Sequence, residues 1–504
     1  MLGINYHRGW VLIYFYDTLN NNELTHVRGN QIMMQKQQLP SVIFREYDIR
    51  GKVGIDLHLD QIYDLGCAIA YFFKQKNPDI KTIALGMDGR VHSPEIKKQL
   101  CAAFADSGLD VQFVGLCHSP ALYFAMHNLP VQAGVMITAS HNPKEYNGLK
   151  ICLGKENVWG SDIQKLYTDY IENKKIESTI KGSYSEYLII PAYIDWLVEH
   201  FQDLKGMDLS AVIDCGNGAA GAVIPQLVKI MAWKNVEILY PEVDGTYPNH
   251  EADPVNIKNM QDVKKVLETT DIQVGIGLDG DADRMAPMTK KGVLVSGDLL
   301  LGLFAQEIAQ QHPGVAVVFD IKSSAALINY LEQLGAQPVI APSGHSIVKD
   351  AMKKNSALLA GELSCHFFFK DRYFGYDDGV YAMLRLFQML QKEQKTLDEL
   401  LQVYPEMYTS DEFRIACDED KKKLIVQTVK DIFAQKEDAD LLVIDGVRVT
   451  MPYGWGLLRA SNTQPVLSIR FESETVDGLQ KVKDDFIHAL RPFYEEDVLV
   501  KMFE

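Results

Sequence analysis

Several stretches of the chain repeat one pattern: a short apolar run, a turn bearing Gly or Asp, then a helix with one apolar face. Lys81 to Leu85 is such a run, followed by Gly86-Met87-Asp88-Gly89-Arg90. A helix is predicted to open at Ser93-Pro94-Glu95, because Ser caps, Pro is tolerated in a first turn and Glu meets the positive end of the helix. Gly134 to Thr138 reads as another strand, stopping at Ala139-Ser140. Ala211 to Asp214 follows suit, with Gly216-Asn217-Gly218 and a helix behind it. Gly314 to Asp320 repeats the pattern, and Lys322-Ser323-Ser324 opens its helix. Strands alternating with helices at this spacing predict βαβ units and mixed, largely parallel sheets.

The expected fold class is α/β with four domains around a central cleft. Three similar α/β domains with mixed sheets are expected over 41–185, 186–292 and 293–405. The last block, 406–504, differs: strands around 441–451 and 465–472 and amphipathic helices near 419–435 and 476–491 predict an α+β domain with an antiparallel sheet. Open α/β sheets place ligands at the C-terminal ends of their strands. The informative motifs fall in such loops, one per domain, which predicts a site assembled from all four.

Composition adds limits. The 504 residues suit about three or four domains, with cores large enough to need no metal or disulfide staple. A formal net charge of −17 argues against nucleic acid as a partner. It leaves room for a small anionic substrate, because a cleft with a few Arg and Lys focuses positive potential inside an acidic protein. The seven cysteines are odd in number, scattered and without a CxxC pair, so a reduced, cytoplasmic setting is expected. No apolar run approaches the roughly 20 residues of a membrane span, so no membrane partner is expected. Trp10 to Tyr16 is a short apolar stretch, but Asp17 to Asn22 follows where a signal peptide would need a small-residue cleavage site. Residues 1–40 are expected to be an extension outside the core, with Met33 or Met34 an alternative start.

Four motifs carry chemistry. Thr138-Ala139-Ser140-His141-Asn142-Pro143 follows a strand and ends in a stiffening Pro. It can be read as a Ser–His hydrolase pair or as a serine that carries phosphate. The first reading is disfavoured, since adjacent side chains in extended chain point apart and the glycines of a nucleophile elbow are missing. In Asp279-Gly280-Asp281-Ala282-Asp283-Arg284, carboxylates at i, i+2 and i+4 can converge on one hard cation. An EF-hand is excluded, because Arg284 stands where its Gly belongs and Lys290 where its final Glu belongs. Three carboxylates that leave positions open suit Mg²⁺ bound to a phosphate oxygen, and Arg284 can steady that phosphate. Gly361-Glu362-Leu363-Ser364-Cys365-His366 offers Glu362 and Ser364 to sugar hydroxyls and His366 as a proton carrier. Arg459-Ala460-Ser461-Asn462-Thr463-Gln464-Pro465 offers one guanidinium fork, with Ser461, Asn462 and Thr463 as donors, for a phosphate cradle.

Together these motifs resemble the α-D-phosphohexomutases, most closely the bacterial phosphomannomutase/phosphoglucomutase branch, over about 41–504. TASHNP with Tyr146-Asn147-Gly148-Leu149-Lys150 is similar to the family's phosphoserine loop, and DGDADR to its metal loop, usually written with Gly where Ala282 stands. GELSCH is similar to the sugar loop, usually GEMSGH, and RASNTQP to the phosphate loop. Phe44-Arg45-Glu46-Tyr47-Asp48-Ile49-Arg50-Gly51 matches the branch's opening segment. The resemblance implies Mg²⁺ at Ser140, Asp279, Asp281 and Asp283, Tyr47 and Arg50 near the phosphoserine, and Lys150 beside Ser140 as a proton-transfer candidate. It implies substrate contacts from Lys322 and His345. Cys365 in place of Gly puts that loop's backbone in question, and Ala282 in place of Gly implies an unstrained φ.

The implied activity is an intramolecular phosphotransferase that interconverts hexose 1-phosphate and hexose 6-phosphate, mannose or glucose, through phosphoserine and a 1,6-bisphosphate that also serves as activator. Small hexose phosphates are the expected partners. A monomer is expected, with a dimer left open. The competing readings are a phosphoglucosamine mutase, a Mg²⁺ phosphatase with Asp279 as nucleophile, and a non-catalytic sugar-phosphate sensor.

Overall fold

The computed structural model describes residues 2–7, 10–15, 38–460 and 466–503. The chain divides into two compact units, Met1–Leu39 and Pro40–Glu504. In the first, β1 (Leu2–His7) and β2 (Trp10–Phe15) form an antiparallel hairpin with Leu2 opposite Phe15. The rest of the expected extension, up to Gln37, lies outside the described residues.

Among the described residues, the larger unit contains four sheets. The first is built from β3 (Ile49–Lys52), β4 (Thr82–Met87), β5 (Asp110–Leu116), β6 (Ala133–Ile137), β7 (Tyr146–Leu153), β8 (Glu156–Asn157) and β9 (Tyr184–Glu186), in the order β3-β7-β6-β4-β5-β9 with β8 beside β7. The second contains β10 (Ala211–Asp214), β11 (Val236–Leu239), β12 (Val274–Leu278) and β13 (Met285–Thr289), in the order β11-β10-β12-β13. The third contains β14 (Ala316–Asp320), β15 (Gln337–Ala341), β16 (Leu359–Gly361) and β17 (Phe367–Phe369), in the order β15-β14-β16-β17.

One arrangement recurs in all three. β5-β4-β6-β7, β11-β10-β12-β13 and β15-β14-β16-β17 each run parallel, parallel, antiparallel. β6, β12, β14 and β16 are buried throughout, and apart from Asp320 at the end of β14 they are apolar runs. The helix Ser93–Asp106 has Pro in its first turn as expected, but its cap position is His92 and Ser93 Oγ donates to Asp88 instead of capping; Ala325–Gln333 is capped by the Ser324 side chain accepting from Ala326 N at 3.0 Å.

The fourth sheet is antiparallel: β18 (Tyr408–Thr409), β19 (Phe413–Ala416), β20 (Asp440–Leu442), β21 (Val447–Met451), β22 (Gly454–Ala460) and β23 (Val466–Ser473). Helices Glu419–Phe433 and Val476–Leu490 pack on it around Val429, Phe433, Phe471 and Phe486. This core is separate from the one that runs through the first three sheets, where Tyr193, Leu278, Leu301, Phe319 and Tyr381 share one cluster. The fold is therefore α/β in three mixed sheets plus a C-terminal sheet domain. Among the described residues, no helix is long and apolar enough to cross a membrane.

Candidate active site

The three α/β motifs occupy the same slot in their sheets. Ser140 lies between β6 and β7, Asp279 to Asp283 between β12 and β13, and Glu362 to His366 between β16 and β17. Each loop joins the last parallel strand to its antiparallel neighbour. Each also holds one non-glycine residue in left-handed backbone: Ser140 at φ 49°, Ala282 at φ 51° and Cys365 at φ 67°. The unstrained φ expected at Ala282 is thereby overturned. Ala282 N donates to Asp279 O at 3.0 Å and Ala282 O accepts from Gly379 N at 3.0 Å, and this reversal turns Asp281 and Asp283 back toward one point. The loop has to reverse whether or not its residue is Gly.

A cleft of about 850 Å³ opens between the four sheets. It is lined by Tyr47, Arg50, Ser140, Lys150, Asp283 and Arg284, and by Lys322, His345, Glu362, Ser364, His366 and Arg459. Ser461, Asn462 and Thr463 lie outside the described residues. Asp279 and Asp281 stand just behind the lining and are fully buried.

Ser140 Oγ donates to Asp279 Oδ2 at 2.8 Å and lies 3.2 Å from His141 Nδ1. The argument that adjacent Ser140 and His141 side chains must diverge fails here, because Ser140 is left-handed rather than extended. The hydrolase-pair reading still lacks its glycine elbow, and burial, with Arg284 and Arg50 nearby, holds the His141 ring well below its ordinary pKa.

One ligand oxygen from each of Asp279, Asp281 and Asp283 lies within 4.8 Å of the others. Asp281 Oδ1 is buried without a hydrogen-bond partner, as expected of an oxygen shaped for a cation. Three oxygen donors beside a serine hydroxyl fit a hard divalent cation. Burial, then Asp283 and Asp281, push the Asp279 carboxyl well above its ordinary range. Lys150 Nζ reaches Asp281 Oδ2 at 2.7 Å and also Asp283 Oδ2. Burial opposes the Lys150 charge, yet those two carboxylates hold its pKa well above the usual lysine value.

His366 ties the metal loop to the sugar loop. Its Nε2 is 3.2 Å from Asp283 Oδ1 and its Nδ1 is 3.1 Å from Glu362 Oε2. Burial alone would lower the ring, but Asp283 and Glu362 carry it up to about 10 against the opposing charge of Arg284. Burial likewise works against the Glu362 charge, yet His366, with His345 and Lys322, brings its carboxyl down to about 2. Glu362 Oε1 accepts from Gly344 N at 2.7 Å, Ser364 Oγ lies 3.3 Å from His366 Nδ1, and Arg284 Nε is 3.4 Å from His366 Nε2. Burial pushes the Cys365 thiol up to about 12.

Tyr47 bridges the first and third sheets by donating to Ser343 O at 2.6 Å, beside His345. Arg50 donates to Asn142 Oδ1 at 2.6 Å. Groups that the motifs do not name also take part. Asp445 Oδ2 receives Arg459 Nη2 at 2.9 Å and Ser343 N at 3.2 Å. Glu412 Oε2 is 3.8 Å from Lys322 Nζ, and Asp377 Oδ2 is 3.2 Å from His345 Nδ1. Arg45, Arg414 and Arg470 add positive charge to the cleft wall. Arg470 was legible in part, since it follows Ser468 at strand spacing on β23; Asp445 and Glu412 carry no local signal.

The comparisons agree with this geometry. Models of phosphoglucomutase/phosphomannomutase domains match in order: alpha/beta/alpha domain I over 41–177, domain II over 191–292, domain III over 296–408, and the C-terminal domain over 412–489. A phosphomannomutase/phosphoglucomutase of Pseudomonas syringae pv. tomato is 41% identical over 453 residues, covering 90% of this chain and 95% of that protein. A phosphoglucomutase of Neisseria meningitidis serogroup A is 39% identical over 447 residues, covering 88% of this chain and 95% of that one. The crystal structure of a phosphoglucomutase/phosphomannomutase family protein from Burkholderia thailandensis superposes with a TM-score of 0.83 at 33% identity, covering 90% of this chain and 98% of that one.

Proposed function

The chain belongs to the phosphoglucomutase/phosphomannomutase family, and from that premise we infer how its own residues carry out the reaction. It is an isomerase that interconverts hexose phosphates. In the reading supported best, Ser140 is the phosphoryl carrier between the 1- and 6-hydroxyls of mannose or glucose, with a hexose 1,6-bisphosphate formed between the two transfers and serving as the activator that re-primes Ser140. The observation that carries this is the Ser140 hydroxyl, 2.8 Å from Asp279 and open to the same cleft as Glu362, Lys322 and Arg459.

A Mg²⁺ held by Asp279, Asp281, Asp283 and the phosphorylated Ser140 would neutralise charge on the transferring oxygens. Lys150 contacts Asp281 and Asp283, and His366 contacts Asp283. The neighbouring carboxylates favour the protonated form of both, which suits them to donate to the departing oxygen or to steady the entering hydroxyl. Glu362 and Ser364 orient the sugar hydroxyls. Arg459 accepts a phosphate from either end of the sugar, with Lys322, His345 and Arg284 lining the same cleft. Tyr47 and the C-terminal sheet keep water from the phosphoserine. Asp279 as a phosphatase nucleophile loses support, since Oδ2 accepts from Ser140 and Oδ1 from Arg284 N at 3.1 Å behind the cleft wall. Domain limits at 41–185, 186–292, 293–405 and 406–504 and a cytoplasmic setting belong to the same reading; the seven cysteines are all free.

Intact-protein mass spectrometry before and after incubation with glucose 1,6-bisphosphate tests it. A gain of one phosphate at Ser140 is expected, and phosphate at any other residue would overturn the reading. Mannose 1-phosphate, glucose 1-phosphate and glucosamine 1-phosphate assayed side by side fix the sugar; turnover of the first two is expected.

A further inference from the structure

The loop that holds Ser140 closes around a single side chain. Arg90, at the end of the Gly86 to Arg90 turn, is 1% exposed and is not part of the cleft wall. Its Nη2 donates to Ser140 O and to Asn142 O, both at 2.6 Å. Its Nη1 donates to Pro143 O at 2.8 Å and Tyr146 O at 3.0 Å. Four carbonyls of one loop thus converge on one guanidinium. Its Nε lies 3.3 Å from Asp88 Oδ2, and Asp88 Oδ1 accepts from Arg90 N at 3.0 Å and Ser93 Oγ at 2.9 Å. On its other side the guanidinium carbon sits 5.3 Å from the Tyr247 ring centre.

We propose that Arg90 is the positioning residue for the nucleophile: it holds the Ser140 loop in its left-handed turn and so sets the line along which the Ser140 oxygen meets phosphorus. Three facts support this. A planar fork with fixed donors can hold several carbonyls in a set geometry, which an ammonium cannot. Ser140 at φ 49° is unfavourable for a side-chain-bearing residue and persists only where its surroundings over-determine it. The metal loop abuts the same carbonyl, since a Cβ added at Gly280 would lie 2.5 Å from Ser140 O. A shift of that carbonyl therefore moves Ser140 against Asp279 as well as against the substrate.

The inference rests on the reading of Ser140 as carrier, and the test separates the two. Arg90→Lys keeps the charge and loses the fork. Misplacement by about 1 Å costs on the order of 100-fold in rate, so kcat is expected to fall by that factor while KM for glucose 1-phosphate stays put, because Lys322, Glu362 and Arg459 lie on other sheets. Re-phosphorylation of Ser140 from glucose 1,6-bisphosphate, followed by mass spectrometry, is expected to slow by the same factor. A purely structural role would instead lower yield and thermal midpoint and move kcat and KM together. Should Arg90→Lys fail to fold, Asp88→Asn decides: it keeps the shape but removes the charge that anchors Nε, and a smaller loss of kcat at unchanged KM is expected. A folded variant of either kind with parental kcat and parental re-phosphorylation overturns the inference. A parent protein that takes up no phosphate at Ser140 overturns the carrier reading, and the inference with it.

Discussion

Ser140, Ala282 and Cys365 occupy matching places in matching loops, and each takes a backbone conformation that costs a non-glycine residue about 1–2 kcal/mol. The three do not share a purpose. At Ser140 the turn aims a hydroxyl at Asp279; Ser140→Ala is expected to abolish mutase turnover while leaving sugar-phosphate binding in place, and equilibrium titration with glucose 6-phosphate checks the second half. At Cys365 the side chain is buried and burial favours the protonated thiol, so it is expected to have no task in phosphoryl transfer. Cys365→Gly relieves the strain but adds freedom to the unfolded chain, so stability is expected to stay within about 1 kcal/mol and turnover to persist; thermal unfolding and a coupled assay decide. Abolished turnover would show a role for the thiol. Residues of this kind were legible because consecutive positions supply them: carboxylates at i, i+2 and i+4 announce their own convergence. Arg90 announces nothing, since its acceptors lie 50 or more residues away and carbonyls have no sequence signature. Asp445 and Glu412 were hidden for the same reason.

At the scale of elements, the helix Gly379–Glu393 shows what a cap can add beyond its own turn. Asp378 caps it by accepting from Tyr381 N at 2.8 Å, and also accepts from Tyr193 and Tyr373 hydroxyls, each at 2.8 Å, which ties the helix Ile189–His200 to the third sheet. Burial, outweighing those donors, raises its carboxyl from 3.8 to about 7. The folded chain therefore keeps a proton that the unfolded chain gives up first, and stability falls as pH rises from 3.8 to about 7, then levels off. Asp378→Asn removes this group's contribution. Its thermal midpoint relative to the parent is expected to rise between pH 5 and pH 8, and an unchanged difference would refute the assignment. Strands and helices were readable because their apolar periods are local. Sheet order was not: nothing in the run Val274 to Leu278 says that β10 and β13 flank it. The threefold repeat of that order explains why the motifs fall at like places.

At the scale of the whole molecule, the C-terminal sheet has its own core and meets the third sheet at a small buried junction of Ile321, Trp455 and Leu457. Arg448 stacks on Trp455 at 3.8 Å and grips Ile321 O and Ser323 O, the carbonyls on either side of Lys322, at 2.8 and 2.7 Å. Glu472 Oε1 accepts from Trp455 Nε1 at 2.7 Å and from Ala325 N at 2.9 Å. Removing the indole costs about 3–5 kcal/mol by the usual scale for buried aromatics, most of it at this junction. Trp455→Ala is expected to let water reach the phosphoserine, so that the ratio of inorganic phosphate released to isomer formed rises; an unchanged ratio would show that the junction does not govern closure. The carboxylates standing on Arg459 and Lys322 have a further effect. They give the cleft a resting occupant of its own. If Arg459 and Lys322 receive phosphate as proposed, an arriving phosphate would have to displace Asp445 and Glu412, and their return would let either end of a sugar bisphosphate go without stranding a bare cation. Traffic through the cleft would then be an exchange among anions in which the protein supplies one of the rivals, and the grip on any sugar phosphate would be measured against that internal competitor.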